Sequence, residues 1–158
     1  MMTNMSKRNG LKVILGISFL FIGILVYLVD RNSMYFLGKL HITSYDYNVF
    51  GYLGNHLPTF IHTLSFCLIT AGILNCQKQC YPIIAFSWFL FDTFFEWLQK
   101  YDKFVIMVPD WFETIPFLEK TESYFLKGTF DIFDVLSIAI GAILGFLILL
   151  AIDKFATQ

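Results

Sequence analysis

Asp92, Glu96 and Gln99 are spaced i, i+4 and i+7 within Phe91-Asp92-Thr93-Phe94-Phe95-Glu96-Trp97-Leu98-Gln99, a stretch otherwise as apolar as a membrane span. On a helix of about 3.6 residues per turn the three share one face, and they climb about 10 Å along its axis. An ionised Asp near the centre of a span costs roughly 2.5–3.5 kcal/mol even on the least severe scale, so this face belongs against other helices or water. Three further residues have complementary chemistry: His62, and Asp131 with Asp134 at i, i+3. Carboxylates grouped with an imidazole can move a proton or bind a cation. In the sharpest assignment Glu96 is a general base oriented by His62 or Asp134, while Asp92, Gln99 and Asp131 hold the polar part of a substrate. Each residue also has a plainer role. Asp131 or Asp134 can cap a helix or sit near its dipole, His62 can bond a neighbouring helix, Gln99 can face water, and Asp92 can be a buried protonated carboxyl bonded to a backbone carbonyl.

The elements that must position these residues are apolar helices. Apolar residues make up 57% of the 158, charged ones 15%, and there are 19 Phe; ordinary domains are nearer 45–50% apolar and about 25% charged. The apolar residues come in long blocks and not in amphipathic stripes, which reads as an integral membrane protein. Four spans are expected, at about 11–29, 57–74, 82–98 and 131–152, giving a single all-α membrane domain. The first is read as an uncleaved helix, since no small-residue cleavage site follows it. Pro58 is placed in the first turn of the second span and Pro82 in that of the third, where proline is tolerated. The segment 30–56 reads as an interfacial loop, and one interfacial helix is expected in the 99–130 loop, from about 110 to 125. Gly141 and Gly145 form a G-x-x-x-G that lets another helix approach closely, more often within a small protein than between copies.

The seven-residue connection 75–81 forces the second and third spans into an antiparallel hairpin. The start of the second, the end of the third and the start of the fourth therefore lie on one side of the membrane, which brings His62, Asp92, Glu96, Gln99, Asp131 and Asp134 to a common level. Lys7, Arg8, Lys12, Lys78 and Lys154 crowd the short segments of the opposite side, whereas Arg31, Lys39, Lys100, Lys103, Lys120 and Lys127 are spread over longer loops. The positive-inside rule then puts both termini in the cytoplasm and the polar cluster outside.

Several functions are set aside. A net charge of −1 offers no basic surface for nucleic acid. Cys76 and Cys80 form a C-x-x-x-C without a second ligand pair, which does not make a zinc site, and three cysteines make no disulfide framework. H-E-x-x-H and G-x-S-x-G are missing. Asp131-x-x-Asp134 is not followed by the Gly, Arg and second Asp pair that phosphoalcohol transferases use. No resident metal and no cofactor is expected.

Three pieces stand in order: Leu57-Pro58-Thr59-Phe60-Ile61-His62-Thr63-Leu64-Ser65-Phe66, then Phe95-Glu96-Trp97-Leu98-Gln99, then Tyr124-Phe125-Leu126-Lys127-Gly128-Thr129-Phe130-Asp131-Ile132-Phe133-Asp134-Val135-Leu136 leading into Gly141-Ala142-Ile143-Leu144-Gly145. In this order the chain resembles the VanZ-like family of small multi-span membrane proteins, as an uncharacterised branch of it. Gly128 and Ile138 stand where that family tends to have Arg and Asn. The resemblance implies a cell-membrane protein and matches His62, Glu96, Gln99, Asp131 and Asp134 to family positions without assigning them a chemistry. Three functions fit: binding of, or action on, a lipid-linked or cell-envelope substrate at the outward cluster; a non-catalytic module that assists assembly or regulation of a partner membrane protein; and a small transporter working as a homo-oligomer.

Overall fold

The computed structural model of the protein describes residues 4–30, 50–101, 109, 111, 114, 115 and 128–155. Among the described residues the chain is all-helical. Those residues form four α-helices, α1 (Asn4–Asp30), α2 (Tyr52–Ile73), α3 (Tyr81–Leu98) and α4 (Ile132–Phe155), and a short 3-10 turn at Lys78–Cys80. The interfacial helix expected at 110–125 falls almost wholly outside the described residues, as does most of the 30–56 loop.

Three of the helices, over Ser6–Tyr27, Tyr52–Ile73 and Ile132–Phe155, are long and apolar enough to cross a membrane, with 22, 22 and 24 residues. At about 1.5 Å per residue they reach roughly 33–36 Å, against a hydrocarbon core of about 30 Å. Their outward faces carry Ile14, Phe21, Ile140 and Ile143, each more than half exposed. That density of bare apolar side chains suits lipid and not water. The chain is a multi-pass membrane protein. The expected third span corresponds to α3, which is shorter at 18 residues and holds Asp92 and Glu96.

Helix α2 is the centre of the bundle and packs on both α1 and α4. Glycines set both approaches. A Cβ on Gly16 would lie 2.8 Å from the Ser65 carbonyl, and one on Gly72 would lie 2.8 Å from the Asn9 carbonyl, so α1 and α2 run antiparallel at close range. A Cβ on Gly141 would lie 2.5 Å from the Phe60 carbonyl, and one on Gly145 would lie 2.9 Å from Cys67 Cβ. The G-x-x-x-G is therefore used inside the chain, with α4 parallel to α2. Helix α3 returns antiparallel to α2, as the Trp88 Nε1 bond to Thr70 Oγ1 (3.0 Å) and the Thr63 Oγ1 bond to Asp92 Oδ2 (2.6 Å) show.

The helix ends have local causes. Asn75, at φ 52°, takes the left-handed turn that closes α2; Asn75 N–H donates to the Gly72 carbonyl (3.3 Å) and Cys76 N–H to the Ala71 carbonyl (3.0 Å), the Schellman pattern. Pro82 sits in the first turn of α3, where its missing N–H costs nothing. At the start of α4, Asp131 Oδ1 accepts the Phe133 N–H at 2.9 Å, the capping role foreseen for it.

Three boundaries differ from expectation: α1 begins at Asn4 and not near residue 11, and the other two bear on the polar clusters. Helix α2 starts at Tyr52 and not near Leu57, with Pro58 inside it. Proline there removes only the bond that residue 58 would have given the Gly54 carbonyl in the second turn, so the helix extends back to Gly51 and takes in His56. Helix α4 continues past Ile152 to Phe155 and buries Asp153, and α1 carries Lys12 with no exposed surface. Lys12 is thus a bundle residue and not part of a positively charged tail.

Candidate functional site

The start of α2, the end of α3 and the start of α4 surround a cavity of about 990 Å³. All six sequence-predicted residues line it: His62 on α2, Asp92 and Glu96 on α3, Gln99 just beyond α3, Asp131 just ahead of α4, and Asp134 in the first turn of α4. His56 joins them.

The site contains two parallel imidazole–carboxylate pairs, each with a threonine hydroxyl. His56 Nδ1 lies 2.9 Å from Asp134 Oδ1, which also accepts the Thr59 hydroxyl at 3.3 Å. One helical turn deeper, His62 Nδ1 lies 3.4 Å from Asp92 Oδ2, which accepts the Thr63 hydroxyl at 2.6 Å. The α2 residues 56, 59 and 63 share one face. That face supplies the imidazole and hydroxyl of the first pair and the hydroxyl of the second. Each pair joins α2 to a different neighbour, the first to α4 and the second to α3.

The partners differ from those foreseen. His62 is held by Asp92, Asp134 is held by His56, and Glu96 Oε1 accepts the Asp131 backbone N–H at 3.1 Å. Glu96 is buried, and its bond ties the end of α3 to the beginning of α4, where a carboxylate is favoured by the helix dipole. This bond helps to position the rim of the cavity.

Aromatic rings restrict both imidazoles. His56 lies between Tyr52 and Phe133, at centroid distances of 5.0 and 5.9 Å, and is almost fully buried. His62 lies 4.5 Å from the Phe66 ring and is open to the cavity, with its side chain 45% exposed. A freely accessible imidazole backed by a buried carboxylate can accept or deliver a proton to a molecule in the cavity. Four carboxylates and two imidazoles face this space, and no Lys or Arg lines it among the described residues.

His56 is hidden from sequence reasoning because Pro58 marks the expected first turn of the helix. Stepping back from Thr63 and Thr59 by the helical period does lead to His56, and that was the available signal.

At the opposite end a second polar cluster is closed. Lys12 Nζ donates to Tyr81 OH (2.6 Å), Asn9 Oδ1 (3.2 Å) and the Cys76 carbonyl (3.3 Å) and lies 3.5 Å from Asp153 Oδ1. The Tyr81 hydroxyl donates to Asp153 Oδ2 at 2.6 Å, and Arg8 Nε lies 3.3 Å from Asp153 Oδ1. Asn9 Nδ2 reaches Asn75 Oδ1 at 2.9 Å. Nearby, desolvation and a hydrogen bond with Cys80 push the Cys76 thiol above its ordinary value, the opposite of what a thiolate metal ligand needs.

No family model, curated protein or solved structure matches this chain.

Proposed function

We propose that this protein is a VanZ-like cell-membrane protein in which α3 forms a fourth span, both termini face the cytoplasm, and the outward cavity binds the polar head of a lipid-linked or envelope amphiphile. The observation that carries the reading is the single cavity shared by both imidazole–carboxylate pairs and Gln99, at the end of a bundle whose outer faces are apolar. Its volume of about 990 Å³ stands at the upper end of the roughly 300–1,000 Å³ of small-molecule sites, enough for a polar head group whose chains lie in the surrounding lipid. At 18 residues, α3 is about 27 Å long and close to the hydrocarbon thickness; its polar face is turned to α2 and α4, which removes the main cost of placing it there.

In this reading His62 exchanges a proton with the bound head group, Asp92 holds the imidazole through Nδ1 so that Nε2 points to the cavity, and Gln99 and Asp131 contact the head group at the rim. Glu96 fixes the geometry. The test is a lipid and cell-wall-precursor profile of a deletion strain complemented with wild type, Asp92→Asn or His62→Gln. Both variants are expected to leave the altered profile of the deletion uncorrected while accumulating normally in the membrane. Full correction by both would refute the reading.

A second reading, a non-catalytic module for assembly or regulation of a partner membrane protein, draws on the Glu96 bond to the Asp131 backbone. It predicts that Glu96→Gln, and not His62→Gln, disrupts a complex trapped by crosslinking in membranes.

A further inference from the structure

The upper imidazole–carboxylate pair has an unused ligand position. Asp134 Oδ1 lies 2.9 Å from His56 Nδ1, and in the tautomer that donates this bond the lone pair of the ring is on Nε2. That Nε2 is buried and has no hydrogen-bond partner. An orphaned acceptor in so buried a ring is costly unless something electrophilic meets it. Nε2 faces Asp131 Oδ2 at 3.9 Å. The other oxygen of Asp131 is occupied by the Phe133 N–H, so Oδ2 is the oxygen left for a ligand. His56, Asp131 and Asp134 each offer a ligand atom, and these atoms all lie within 4.8 Å of one another.

We infer that His56 Nε2 and Asp131 Oδ2 bind a divalent transition-metal ion, with Asp134 as the carboxylate that orients the imidazole and closes the site. Two donors about 2.1 Å from a tetrahedral ion stand about 3.4 Å apart, so the observed 3.9 Å needs the Asp131 side chain to close by about half an ångström. A carboxylate on the second nitrogen of a ligating imidazole is the usual support of such a ligand. One nitrogen and one carboxylate oxygen favour zinc or manganese over the all-oxygen sites of calcium and magnesium. Charge argues the same way: Asp92, Glu96, Asp131 and Asp134 line one cavity without a lining Lys or Arg among the described residues, and a divalent cation offsets their repulsion. With so few protein ligands, coordination positions remain for water or for an anionic group of whatever molecule the cavity takes. The inference goes beyond the proposed function and survives if a different molecule occupies the cavity.

The test uses the full chain in detergent, stripped with a chelator and titrated with MnCl2 under electron paramagnetic resonance, with ZnCl2 as competitor. One Mn²⁺ per chain is expected, displaced by Zn²⁺ and showing nitrogen hyperfine coupling from one imidazole. His56→Gln is expected to abolish the coupling and weaken binding at least tenfold. Asp131→Asn keeps an oxygen to cap α4 and is expected to weaken binding about tenfold or more without loss of fold. Thr63→Val, at the lower pair, leaves binding unchanged. Lack of a saturable site in the wild type, bound Mn²⁺ without nitrogen coupling, coupling that persists in His56→Gln, or wild-type affinity in Asp131→Asn would each overturn the inference.

Discussion

The two ends of the bundle both bury carboxylates, and they treat them in opposite ways. At the terminal end Asp153 meets Lys12, Arg8 and the Tyr81 hydroxyl within 3.5 Å, and the Lys12 side chain has no exposed surface. Fixed cations answer the charge. At the cavity end Asp92 and Asp134 meet imidazoles and threonine hydroxyls, whose protons can move, and beside them is open space. Charge that is fully answered by the fold serves the fold. Charge answered by groups that can exchange protons or ligands, beside a cavity, is available for work. The comparison also explains why the closed end tethers α1: Arg8, Asn9 and Lys12 all lie on that helix, which otherwise meets α2 through apolar contacts and three close glycine approaches, at Gly16, Gly23 and Gly72.

This contrast can be broken in order of size. Lys12→Ala leaves Asp153 with only Arg8 and the Tyr81 hydroxyl, and removal of one partner of a buried pair costs about 3–5 kcal/mol; unfolding in detergent should show a loss toward the lower end of that range, and Lys12→Met with Asp153→Leu should recover much of it. Gly141→Ala places a methyl 2.5 Å from the Phe60 carbonyl, a backbone atom that cannot swing aside, and should cost about 1–3 kcal/mol by the same measurement. Asp92→Asn keeps the shape and an acceptor for the Thr63 hydroxyl, so its stability cost should stay near ~1 kcal/mol, while complementation of a deletion strain is lost. A large loss of stability in Asp92→Asn, or none in Lys12→Ala, would erase the distinction between the ends.

The amino-acid sequence made the membrane class, the helix order and most of the cavity legible, because polar residues are costly in apolar blocks and their period survives at i, i+4 and i+7 along 92, 96 and 99. The short connection after α2 was enough to bring six of the site residues to one level. The identity of the pairs was not legible: His62 chooses Asp92 and not Glu96 through interhelical register, which is set by glycine contacts such as Gly141 on Phe60 that no local pattern encodes. His56 was lost to a proline that starts helices more often than it interrupts them. The Lys12–Asp153 pair joins residues near opposite termini, and periodicity within either helix says nothing of the other.

The most direct test compares Asp134→Asn with Asp153→Asn in metal-free detergent, following unfolding of each against the wild type. A far larger destabilisation in Asp153→Asn, with Asp134→Asn within about 1 kcal/mol of the wild type, is the predicted result. Equal losses, or a larger loss in Asp134→Asn, would contradict the division of the molecule into a structural end and a working end.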